Sequence, residues 1–274
     1  MKKFLLPFLL LGTFCFANDE TPTLSLGELI PRSTAFLQSA DMEEEDELKD
    51  SLNQILHDLI SPVFEENGQA LSGHIDAVEV VDDHLGKCTF HCDLTTDQHT
   101  LSLFVDHAHP ILFPESPDTT IHTQLSPLNI KAKVGKHVID KKLIHYVLLA
   151  GMMDLGIPKD AIQLQVIKWE LNDSLLREAK LILNLDLRGV GVEHFSLFDQ
   201  LKIDFSYQRE TLRTEVEASF NPERYLEEIE PITDLLVEDF YQMQQGEEAT
   251  LDGLKSIAEL LSSLFVEVEG LIKK

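Results

Sequence analysis

Apolar and polar residues alternate with a period of two from about Ile162 to Phe220. Leu181, Leu183, Leu185 and Leu187 alternate with Asn184, Asp186 and Arg188. Leu201, Ile203, Phe205 and Tyr207 form a second such run, and Leu212, Val216, Ala218 and Phe220 a third. Side chains of a strand point alternately to opposite faces, so each run predicts a strand with one dry and one wet face. Closely spaced runs predict antiparallel hairpins. Upstream, Ile162, Leu164 and Val166 alternate before the phase slips to Ile167, Trp169 and Leu171, which predicts a bulge near Val166. Asn172-Asp173 opens the turn that follows.

Residues 74–113 predict an earlier meander, with strands at His74–Val81, Lys87–Thr96 and Thr100–Asp106 and turns at Leu85-Gly86 and Thr96-Asp97-Gln98. Thr120–Val134 predicts another extended segment, interrupted at Pro127.

Elsewhere the period lengthens to 3.6. Leu48, Leu52, Ile55, Leu56, Leu59, Ile60, Val63 and Phe64 make one helical stripe, with Pro62 set to kink its last turn and Asn67-Gly68 to stop it. The acids of Asp41 to Asp50 fall in its first turns, where the helix dipole favours negative charge. Val138–Leu155 is apolar around most of its girth and predicts a central buried helix, closed by Gly156, Ile157 and Pro158. Asn221-Pro222 starts a third helical region over 222–272, with one stripe from Tyr225 to Phe240 and a second from Leu254 to Val268. The fold class is therefore α+β: an antiparallel, meander-rich twisted sheet of about seven to nine strands, covered by an N-terminal helix, a middle helix and a C-terminal helical pair. No internal sequence repeat is present.

The chain begins as a targeting segment. Lys2 and Lys3 precede an apolar run, Phe4 to Phe16, and Cys15-Phe16-Ala17 resembles a cleavage site. The run is shorter than the roughly 20 residues a bilayer span needs. Residues 1–17 thus read as a signal peptide and 18–40, with Pro22 and Pro31, as an extended arm or linker. Residues 41–274 read as a single α+β domain. The product is expected to be exported, periplasmic or secreted, with no transmembrane segment after cleavage.

The formal charge is −26, and loss of Lys2 and Lys3 makes it two units more negative. Such a surface repels phosphates, which argues against nucleic-acid binding. After cleavage Cys88 and Cys92 remain. On one regular strand their Cα atoms lie about 13 Å apart, whereas a disulfide needs roughly 4.4–6.8 Å. They read as two buried thiols.

The densest candidate chemistry is the His, Asp and Cys block between His74 and His109. Asp106, His107 and His109 are the candidate metal ligands, because two imidazoles and a carboxylate can hold zinc or a similar divalent ion. The spacing matches no finger or HExxH pattern, and His91 points away from Cys88 and Cys92. No G-x-S-x-G and no phosphate-cradling glycine run is present. No catalytic residue stands out. No cofactor is expected, a divalent metal in this block being the one exception. The reading is an exported, acidic, non-catalytic binding protein for a protein partner or an apolar small molecule such as a lipid. The alternative is a metal-dependent enzyme using residues 74–109.

Overall fold

The alternating runs become eight antiparallel strands of one continuous sheet. The computed structural model describes residues 42–81, 84–116, 118–134, 136–191, 197–228 and 262. The expected signal peptide, the arm at 18–40 and the C-terminal helical pair beyond residue 228 lie outside the described residues, apart from Ser262.

The first meander is β1 (Ala70–Val81), β2 (His84–Thr95), β3 (Thr100–Ala108) and β4 (Thr119–Ser126). A two-residue ladder follows, β5 (Lys133–Val134) with β6 (His137–Val138). The second meander is β7 (Ile162–Asn172), β8 (Leu175–Asp186), β9 (Phe198–Gln208) and β10 (Thr211–Phe220). The sheet order is β1-β2-β3-β4-β10-β9-β8-β7, so the last strand of each meander pairs with the last strand of the other. Helical segments precede each meander, so the architecture repeats although the sequence does not. At the seam Thr123 and Thr214 face each other, both buried, and their hydroxyls hydrogen-bond.

The N-terminal stripe folds as α1 (Met42–Ile55), a π-helical turn at Leu56–Ile60, and α2 (Ser61–Glu66). The expected kink at Pro62 thus takes the form of a widened turn just before the proline. Proline lacks an N–H and crowds the carbonyl four residues back, which a wider turn relieves. The Ser61 hydroxyl donates to Leu56 O at 2.9 Å. Helix α1 lies along the outer edge of β1. There Ile75 N donates to Asn53 Oδ1 at 2.7 Å, Asn53 Nδ2 donates to Ile75 O at 3.2 Å, and Val80 N donates to Glu45 Oε1 at 3.0 Å. Backbone groups of an edge strand are thereby occupied, a device that blocks edge-to-edge association.

The helix approaches β1 over Gly73. A Cβ there would stand 2.8 Å from Cys92 Cβ and 3.0 Å from Leu56 Cδ2. Gly73→Val should therefore destabilise by about 1–3 kcal/mol through overpacking, read as a lower urea midpoint. An unchanged midpoint would mean that the helix does not pack there.

Three expectations need correction. The expected turn at Leu85-Gly86 is part of β2. Gly86 serves close packing instead, since a Cβ there would lie 3.0 Å from Val81 Cγ2 and 3.1 Å from Phe113 Cε2. The segment from Thr120 is interrupted at Pro127 as expected, after a cis peptide bond from Ser126, but beyond it only Lys133–Val134 forms a strand. The middle helix, α3, spans Lys141–Asp154, because Asp140 caps it by accepting from Leu143 N at 2.8 Å. It is not buried all round. Ile144, Gly151 and Met152 pack inward, while Leu143, Tyr146 and Met153 face outward, Tyr146 with 66 % exposure. The sheet covers only one side of it.

One sheet face carries the apolar core. Leu71, Leu94, Leu101, Leu125, Leu212, Tyr207 and Ala179 are successive cross-strand partners in a single row from β1 to β8. Val63 and Phe64 of α2 and Ile144 of α3 pack in the same cluster. Met152 and Ile157 cover Leu185, Leu201 and Val216 further along.

Candidate functional site

The opposite face is polar, and the register places its side chains in straight rows across the strands. One row reads Lys180, Ser206, Arg213, Gln124, Ser102 and Asp93 from β8 to β2. The next reads Ile182, Asp204, Glu215, His122, Phe104, His91 and His74 from β8 to β1. Between them the twisted sheet forms an open trough of about 370 Å³, lined by Lys180, Asp204, Arg213, Glu215, His122 and Phe104 among others. Two further hollows lie on the same face of the second meander, beside Lys202 and Glu217 and beside Arg209 and Thr211.

The trough carries opposite charges in separate rows. Arg213 Nε donates to Gln124 Oε1 at 2.9 Å. Among the described residues neither Arg213 nor Lys180 forms an ion pair with a carboxylate. Glu215 Oε2 lies 3.8 Å from His122 Nδ1, and the His122 ring lies 5.7 Å from that of Phe104. Asp204 Oδ1 is buried and has no hydrogen-bond donor among the described residues. Beside the trough, by contrast, Lys202 is held by Glu217 at 2.5 Å and Lys168 by Glu178 at 2.6 Å. Lys202 also lies 3.8 Å from Asp204 Oδ2, so the face holds its flanking lysines on carboxylates and leaves Lys180 and Arg213 without one among the described residues.

The structure distributes the His and Asp block over both faces. His74 and His91 lie on the polar face, ring centroids 5.4 Å apart. Asp106 is exposed there and accepts from Thr89 Oγ1 at 3.2 Å. His107, the next residue, points into the core side, so it and Asp106 diverge. Thr119 Oγ1 lies 2.7 Å from both Asp118 O and His107 Nδ1, and Tyr225 Oη lies 3.0 Å from His107 Nε2, so both ring nitrogens are hydrogen-bonded. Burial, with the neighbouring His109 second, pushes the His107 pKa down to about 4. His109 is buried with its ring edge-on to Tyr225 at 4.9 Å. The three candidate ligands are therefore not brought to one point. Among the described residues no group of three or more His, Cys, Asp or Glu side chains could hold a metal ion. The cluster instead anchors Tyr225, fully buried in α4 (Pro222–Glu228), to the end of β3.

Cys88 and Cys92 are free thiols on the core face of β2. Burial pushes their pKa values up to about 11 and about 12, with Asp106 and Asp93 adding to the respective shifts. The thiolate is the nucleophile, so both should resist alkylation in native protein at pH 8 and react on unfolding. Fast labelling of the folded chain, followed by mass spectrometry, would contradict this placement.

In the sequence Lys180, Asp204, Arg213 and Glu215 fall on the polar phase of their strands, which does not by itself mark a site. One signal stood out of phase: Phe104, an aromatic residue on the polar side of β3. Comparison with protein-family models, curated proteins and solved structures found no match to this chain.

Proposed function

We propose that the chain is an exported, non-catalytic binding protein whose partner, a protein segment, docks on the polar face of the sheet, which the described helices leave open. The carrying observation is the trough itself: a hollow across six strands whose central cations, Lys180 and Arg213, have no carboxylate partner among the described residues. Export rests on Lys2, Lys3, the apolar run Phe4 to Phe16 and the cleavage-like Cys15-Phe16-Ala17. Among the described residues no helix is long and apolar enough to cross a membrane. The three hollows described above lie on the polar side of the sheet.

The proposal includes one domain over 41–274, with C-terminal helices in 222–272. Tyr225 is anchored at the His107 end of β3. Ser262, fully buried, accepts from Gln69 Nε2 at 3.3 Å and donates to Gln69 Oε1 at 3.0 Å, at the other end of the sheet beside β1.

The test is a photo-crosslinking amino acid placed at Phe104, or at Tyr146 as a control, in the producing cell. The expected result is a discrete protein adduct from position 104, lost with Arg213→Glu, and none from position 146. Identical adducts from both positions, or an adduct indifferent to Arg213→Glu, would overturn the reading.

A further inference from the structure

We infer that the trough recognises an extended peptide carrying an acidic and a basic side chain two residues apart, the acid over Lys180 and Arg213 and the base over Asp204 and Glu215. The inference rests on the binding role proposed above and names the chemistry of its partner.

Arg213 and Glu215 are two residues apart on β10 and share its polar face. Side chains i and i+2 of a strand stand about 7 Å apart, at roughly 3.4 Å per residue. An extended peptide running along β10 has the same repeat, so its own i and i+2 side chains fall over the two charges in register. Each charge is widened by its neighbour on the adjoining strands. Ser206 pairs with both Lys180 and Arg213, and Asp204 pairs with Glu215. The cationic side chain of the ligand also meets the row in which Glu215 is followed by His122 and Phe104. Phe104 lies one strand beyond His122 in that row, its ring 5.7 Å from the imidazole.

Charge complementarity selects this occupant over others. A peptide with acids alone would meet Asp204 and Glu215, and one with bases alone would meet Lys180 and Arg213. The strongly negative chain as a whole steers away purely acidic partners. A second copy of this chain would bring its own large negative charge to the face. An adjacent Glu-Lys pair in an extended peptide points its side chains to opposite sides and cannot satisfy both rows.

The test uses the full chain and terminally blocked peptides containing Glu-Gly-Lys, Gln-Gly-Lys, Glu-Gly-Gln, Lys-Gly-Lys or adjacent Glu-Lys, followed by amide chemical shifts. Glu-Gly-Lys should move the amides of Arg213, Glu215 and His122. Removing either ligand charge, or closing the spacing, should weaken binding about fivefold, the scale of one partly exposed ion pair. Arg213→Glu should lose Glu-Gly-Lys and accept Lys-Gly-Lys instead, and Glu215→Gln should lose the preference for the ligand base. All of these side chains are partly exposed, and an unchanged thermal midpoint verifies folding of each variant. Equal binding of the adjacent and spaced peptides, or no exchange of preference in Arg213→Glu, would overturn the inference. A crosslink from position 104 that persists while the peptides fail removes this partner chemistry alone. Loss of that crosslink while the peptides bind removes the protein-partner role alone.

Discussion

Leu125→Ala should lower the unfolding free energy by about 2–5 kcal/mol, the range for a leucine removed from a core that cannot collapse around the gap. Leu125 is 2 % exposed and sits on β4 at the junction of the two meanders. Its cross-strand partners are Leu101 on β3 and Leu212 on β10, both buried. Those neighbours are held by backbone ladders on either side, so the hole stays open. The measurement is a urea titration: a lower midpoint at unchanged slope, compared with Ile182→Ala on the polar face, which should cost much less. Equal losses at the two positions would mean that the apolar row is not the core.

Stability should also fall by up to about 3 kcal/mol as the pH drops from about 6.5 to about 4, on account of His107. Burial holds the folded-state pKa at about 4, below the ordinary value of 6.5. In that interval the unfolded chain binds a proton that the folded chain excludes, so stability rises with pH across it. The contribution is complete above 6.5 and is lost as the pH falls toward 4. His107→Gln cannot gain that proton, so its urea midpoint should vary less between pH 7 and pH 4 than that of the parent. Parallel pH curves for the two proteins would exclude His107 as the source.

The phases of the strands were legible because burial of one face imposes a period of two on each strand. Leu181, Leu185 and Leu187 are all buried, as their spacing required. The slip after Val166 is a register shift between Val166 and Lys168. The end of α3 was equally legible: Gly156 takes a φ of +90°, and Ile157 N returns to Met152 O at 3.2 Å. The hairpin turn at Arg209-Glu210 was not. Both residues have positive φ without glycine or asparagine, so the flanking ladder dictates the turn against local preference. The candidate site was hidden for another reason. Arg213, Gln124 and Lys180 become neighbours only through the register of β10 with β4 and, by way of β9, with β8. No single strand carries that information. The metal candidates Asp106, His107 and His109 were adjacent in the sequence, but the two faces of β3 divide Asp106 from His107.

The pairing of β4 with β10 also has a consequence for how the chain reaches its native state. The first meander leaves an open backbone edge at Thr119–Ser126, and its mate at Thr211–Phe220 arrives only after every other strand of the sheet. Closing that gap requires a large loop to be pinned late, which slows folding and leaves a sticky intermediate in the meantime. Half-made chains of this protein therefore need shelter from one another until their last strand is in place.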